Sequence, residues 1–86
     1  RQAALILSRS LDHARQLVAA GERTTVVIEA AVKAFIQTEP TACIDYVELV
    51  HPDDLVKRES LEGAALLAIA VRIGTTRLID NTILDL

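Results

Sequence analysis

Arg72 and Arg77 are the residues whose type and spacing come closest to a binding chemistry. They flank Gly74-Thr75, a pair short enough to turn a hairpin, so the two guanidinium groups meet as cross-strand neighbours. Two arginines at a sheet end can hold an anion through charge-assisted hydrogen bonds, or contact a facing domain. The plainer reading is edge protection with local pairing to Asp80 or another carboxylate. It carries more weight, because no Gly-rich loop accompanies the pair to share a phosphate. Asp80-Asn81 inside a strand run is unusual. A bulge, a side-chain bond to the backbone or a domain contact would each account for it.

The remaining candidates are weaker. His51 precedes Pro52, Asp53 and Asp54, and one turn crowds imidazole and carboxylates together. Ligands so close in sequence seldom wrap an ion, and turn chemistry explains aspartates after proline. His13 falls on the polar side of a helical pattern, with no second histidine or cysteine at metal-binding spacing. Cys43 begins a strand without a base in view, and a free cysteine usually behaves as a small buried hydrophobe. Asp45 and Glu48 are assigned by strand alternation to opposite faces and so do not form a carboxylate pair. Asp53, Asp54, Glu59 and Glu62 read as a solvated acidic edge. The expectation is no catalytic residue and no metal site in this chain, with Arg72 and Arg77 as domain-facing candidates.

Five elements position these residues. Leu7, Leu11, Ala14, Leu17 and Val18 recur at helical spacing, predicting a helix from Arg1 to Ala20 closed by Gly21. A second helix is predicted from Thr25 to Thr38, capped by Thr24 or Thr25 and ended by Pro40. Its main stripe is Val27, Ala31, Ala34 and Phe35, widened by Ile28, Val32 and Ile36. Ala42 to Val50 reads as a strand, with Ile44, Tyr46 and Val50 on one face and Val47 and Leu49 on the other. His51 to Asp54 is a turn, open to a single 3₁₀ turn, and Val56 to Glu62 a connecting loop. Ala64 to Ile73 and Thr76 to Leu84 are two further strands joined by the Gly74 turn. Two helices followed by three strands predict an α+β two-layer sandwich, its helices on one face of an antiparallel sheet.

Composition narrows the function classes. The chain has 86 residues, enough for one small domain. Its hydrophobic fraction is 51% and its mean hydropathy positive, which argues against disorder. No apolar run approaches the ~20 residues of a membrane-spanning helix. A net charge of −3 and 2% aromatic residues disfavour nucleic acid, because phosphates go unneutralised and bases unstacked. The single cysteine excludes an internal disulfide framework. The absence of methionine, with Arg1 first, leads to the expectation that the chain is part of a longer protein.

Two runs carry a family resemblance: Ile44-Asp45-Tyr46-Val47-Glu48-Leu49-Val50, and Leu61 through Asn81. The most specific portion of the second is Arg77-Leu78-Ile79-Asp80-Asn81, behind an apolar strand and a glycine turn. The chain resembles the C-terminal domain of the pantothenate synthetase (pantoate–β-alanine ligase) family over essentially its whole length. Only His51 departs, standing where an aspartate is expected. The resemblance implies a cytoplasmic two-domain enzyme that joins pantoate to β-alanine through a pantoyl adenylate, releasing AMP and pyrophosphate. It implies ATP and Mg²⁺ held mainly by an N-terminal nucleotide-binding domain, and a homodimer formed mainly through that domain. The Ser-Ser-Arg segment that touches the triphosphate would precede Arg1, so none of the family's named binding residues maps onto this chain. The implied role of residues 1–86 is a hinged lid, inactive alone. The alternative is a stand-alone metabolite-sensing or dimerisation module.

Overall fold

The computed structural model describes residues 2–60 and 63–85, with side chains from residue 5 onward. The expected helix start at Arg1 and the loop residues Leu61 and Glu62 lie outside the described residues. The elements run α1 (Gln2–Ala19), α2 (Thr25–Ile36), β1 (Ala42–Val50), β2 (Ala64–Ile73) and β3 (Thr76–Asp85). The strands form one antiparallel sheet in the order β1-β2-β3. Helix α2 lies over β1, while α1 lies over β2 and β3. The predicted α+β two-layer arrangement is therefore what the chain adopts.

Helix α1 buries Leu7, Leu11, Ala14 and Val18, the stripe its spacing predicts. It ends at Gly21, whose φ of +105° suits a residue without Cβ. There the Glu22 N–H donates to Leu17 O and the Gly21 N–H to Val18 O, closing the last carbonyls in a Schellman motif. The Arg23 guanidinium donates to Val18 O at 2.7 Å, adding positive charge at the same terminus.

Helix α2 buries Ile28, Val32 and Ile36, the side by which the expected stripe was widened, while Val27 and Ala34 of its expected centre are exposed. Its buried residues are Thr25, Ile28, Glu29, Val32 and Ile36, while Val26 and Val27 are exposed. The helix is apolar nearly all round, so hydrophobicity alone does not choose a face. The choice follows instead from Thr25 and Glu29, which find backbone partners on the inner side. Thr24 occupies the N-cap position without a side-chain cap bond. It forms an isolated bridge with Ser60, and the Thr25 N–H donates to Glu59 O at 3.0 Å.

Strand β1 departs from simple alternation. Its pairing with β2 shifts register between Ile44 and Tyr46, leaving Asp45 as the extra residue of a bulge. Ile44 consequently packs against the core alongside Val47 and Leu49, rather than opposite them. The same bulge carries Asp45 to the outer face with Tyr46 and Glu48, where it meets Arg77. The expected separation of Asp45 and Glu48 onto opposite faces does not hold, although no hydrogen bond joins them among the described residues.

The β2–β3 hairpin forms as predicted, with Arg72 opposite Arg77 and Ile73 opposite Thr76. Gly74 has φ +62° and Thr75 is not among the positive-φ residues, the pattern of a type II′ turn. Ala65, Leu67, Ile69 and Val71 of β2 face the helices and lie in the core.

Leu55 is the one non-glycine residue with positive φ among the described residues, at +57°. Its N–H donates to His51 O at 2.8 Å, and its side chain is 62% exposed. A branched residue held there costs about 1 kcal/mol, with no burial to offset it. Leu55→Asn is expected to raise stability by about 0.5 kcal/mol, since asparagine tolerates this conformation. Thermal melts of the two chains test it. Leu55→Pro should instead be strongly destabilising, because it removes the donor and forces φ negative.

Candidate functional site

The hairpin end of the sheet gathers the charged groups singled out by sequence. Arg72 and Arg77 sit side by side on the outer face as directly opposed strand residues. Two like charges in that position repel, and one of them is neutralised. The Arg77 Nε–H donates to Asp45 Oδ2 at 2.9 Å, reaching across β2 to the bulge. Asp80 is not the partner; its Oδ1 accepts the Asn81 backbone N–H at 2.8 Å. That local bond accounts for an Asp-Asn pair inside a strand. Arg72 forms no ion pair among the described residues, so it is the freer of the two cations.

Cys43 is exposed, not buried, because its position in the strand points outward next to Arg72. No base donates to or accepts from it among the described residues. His13 is half-buried and stacks on Phe35, with ring centroids 5.5 Å apart. The packing of α1 on α2 thus draws it away from the fully solvated side on which periodicity placed it. His51 closes its own turn: Nδ1 accepts the Asp53 N–H at 3.2 Å and lies 3.7 Å from Asp54 Oδ1. Asp54 Oδ1 also accepts the Val56 N–H, and Asp54 Oδ2 pairs with Arg58 at 2.6 Å. The Val56 N–H, then Arg58 and His51, hold the Asp54 carboxyl below its ordinary range. Residues 51–54 form turns rather than a 3₁₀ helix, and this cluster serves the turn. No group of three acidic, histidine or cysteine residues able to hold a metal occurs among the described residues.

Sequence reasoning missed Glu29. It is buried in α2, where its Oε2 accepts the Leu49 N–H on the outer edge of β1 at 2.8 Å. Lys57 reaches the same carboxylate, with Nζ 3.1 Å from Oε2. The available signal was a lone acid within the run Val26 to Val32, on the same helical face as Thr25 and Val32. Beside it an open groove of about 440 Å³ runs between α2 and the β1 edge, bounded by Lys33, Gln37, Asp45, Tyr46 and Lys57. Charges of both signs line it, and among the described residues it holds no nucleophile with a hydrogen-bonded base.

Comparison with known proteins gives this surface its context. The family model for pantoate-beta-alanine ligase matches residues 1–83. The chain belongs to the pantoate–beta-alanine ligase family. It is 50% identical over 84 residues to the pantothenate synthetase of Pelotomaculum thermopropionicum, covering 98% of this chain and 30% of that protein. It is 47% identical over 85 residues to that of Roseiflexus sp. (strain RS-1), covering 99% of this chain and 31% of the relative. Its fold superposes on the crystal structure of pantothenate synthetase from Thermus thermophilus with a TM-score of 0.85 at 28% identity, over 95% of this chain and 29% of that one. The chain therefore spans about 30% of the length of its relatives. No helix described is long and apolar enough to cross a membrane.

Proposed function

We propose that these residues form the C-terminal lid of a cytoplasmic pantothenate synthetase. In that reading the enzyme adenylates pantoate with ATP and passes the pantoyl group to β-alanine. Pantothenate, AMP and pyrophosphate are the products. The observation that carries the reading is identity of 47–50%, over 98–99% of this chain, to proteins named pantothenate synthetase. The geometry agrees with a covering role: a helix layer packed on a sheet gives a stiff body, and Arg72 is a cation free to meet a facing domain. Closing such a body over an acyl adenylate would keep water from it. As the family resemblance implies, the reading assigns ATP, Mg²⁺ and homodimerisation to the remainder of the enzyme. Arg72 and Arg77 are proposed to face that remainder across the hinge.

A chimera tests this directly. The corresponding portion of the Pelotomaculum thermopropionicum enzyme is replaced by residues 1–86, and pantothenate formation is measured. Turnover within about tenfold of the parent is expected, since tenfold corresponds to only about 1.4 kcal/mol of imperfect domain fit. The chain alone should form none. A folded chimera that binds ATP yet makes no pantothenate refutes the assignment.

A further inference from the structure

The proposed function gives Asp45 no part, although a β-bulge places it at the arginine pair. Bulges re-aim side chains and are frequent beside functional sites. Asp45 stands on β1 and Arg77 on β3, so the bond between them spans β2 on the outer face of the sheet. The Asp45 side chain is 27% exposed against 48% for Arg77, so the carboxylate is the sheltered partner. Ala70, between Tyr46 and Ile79 on the same face, has no exposed surface, so the outer layer is packed there. Of the Arg77 guanidinium only Nε is engaged. Its two Nη groups make no hydrogen bond among the described residues, and neither does Arg72.

We propose that Asp45 is a positioning residue: it holds Arg77 by Nε so that the Nη fork, with Arg72 beside it, receives one carboxylate from the facing part of the enzyme when the lid closes. This rests on the lid reading and names the partner of its arginine pair. Two guanidinium groups and Asp45 leave a single positive charge at the hairpin end. One carboxylate balances it, and a guanidinium fork matches a carboxylate in plane and spacing. The several charges of a nucleotide's phosphate chain would not be balanced there, and the lid reading places ATP in the remainder of the enzyme. Holding Arg77 beforehand reduces the side-chain freedom lost when the contact forms. Directly opposed arginines repel while the lid is open, and the incoming carboxylate relieves that repulsion.

The contact is a latch, and its purpose is to exclude water. A pantoyl adenylate is open to hydrolysis until β-alanine attacks it. Water adds to the acyl carbon, the bond from that carbon to the phosphate oxygen breaks, and pantoate and AMP are released. A lid latched through Arg72 and Arg77 keeps that water out. A loosened latch is therefore visible as AMP formed without pantothenate, while ATP is bound as before.

The test uses the chimeric enzyme described above, with AMP and pantothenate measured together. The unsubstituted chimera should form them in equal amounts. Arg72→Gln and Arg77→Gln should each raise AMP to at least about twice the pantothenate, with KM for ATP changed by less than about twofold. Asp45→Asn should raise AMP as well. Combined with Arg77→Gln it should add nothing further, because Asp45 acts through Arg77. Arg9→Gln removes an exposed cation on α1 and should leave the products balanced. Arg72 and Arg77 are exposed, so their substitution spares the fold, which circular dichroism checks. Balanced products in both arginine variants of an active chimera overturn the latch and leave the lid reading standing. A KM for ATP raised at least about fivefold without excess AMP assigns the arginines to the phosphate chain and overturns the carboxylate. A further rise of AMP in the double variant overturns the role of Asp45. A folded chimera that makes no pantothenate refutes the lid reading itself, and the latch with it.

Discussion

Leu67→Ala is expected to destabilise the chain by about 3–5 kcal/mol. Leu67 is fully buried on the central strand, between Leu49 on one side and Thr82 on the other. Its side chain faces the helix layer and lies in the one core cluster to which both helices contribute, so no surface element can collapse into the space left behind. The loss combines the transfer of the removed carbons with the cavity that remains. A chain of 86 residues has a total stability of roughly 4–13 kcal/mol. The substitution therefore removes a large share and can leave much of the chain unfolded at about 37 °C. Urea titration followed by circular dichroism measures it. Val26→Ala, on the exposed side of α2, is the matched control and should change stability by less than about 0.5 kcal/mol. A loss below about 1 kcal/mol at Leu67 would contradict the packing of both helices on one face of the sheet.

The run that contains Leu67 was legible as a strand, being apolar, without charge until Arg72 and closed by Gly74, but its central place in the sheet was not, because that depends on which strands pair across it. The hairpin register then follows from the two-residue turn. The inward face of α1 was legible for a similar reason, since charged residues occupy its outer side. Two further features were not legible, and each has a physical cause. Helix α2 is apolar on nearly every side, so its orientation is settled by tertiary hydrogen bonds at Thr25 and Glu29, not by periodicity. In β1, the bulge at Asp45 resets the alternation, and no glycine or proline announces it. That single extra residue brings Ile44 into the core and Asp45 to Arg77. The arginine pair was found by its position at the turn, but its partner could not be, because Asp45 comes from the strand two places away. Cys43 shows the limit of residue-type preference: a thiol usually buried is exposed when its strand position points away from the helices.

Glu29→Ala is expected to cost about 2–3 kcal/mol, although it removes no large apolar group. The Glu29 carboxylate sits inside the fold and accepts the Leu49 N–H, a donor on the free edge of β1 that β2 cannot reach. Hydrogen bonds to a charged group contribute about 1.5–3 kcal/mol, and a buried donor left without an acceptor carries its own desolvation cost. Lys57 supplies the countercharge from a half-exposed position, so Lys57→Ala should cost less than about 1 kcal/mol. Glu29→Gln separates the two contributions. It retains an oxygen for Leu49 while giving up the ion pair, and its loss should fall near about 1 kcal/mol. The site-specific readout is amide hydrogen exchange at Leu49. Exchange there should accelerate in Glu29→Ala beyond what the change in global stability explains, and much less in Glu29→Gln. The same substitution uncovers part of a strand edge, which other chains can extend, so concentration-dependent aggregation should rise with it. Should the Leu49 amide stay protected while global stability falls, the carboxylate acts through packing alone and does not cap the edge.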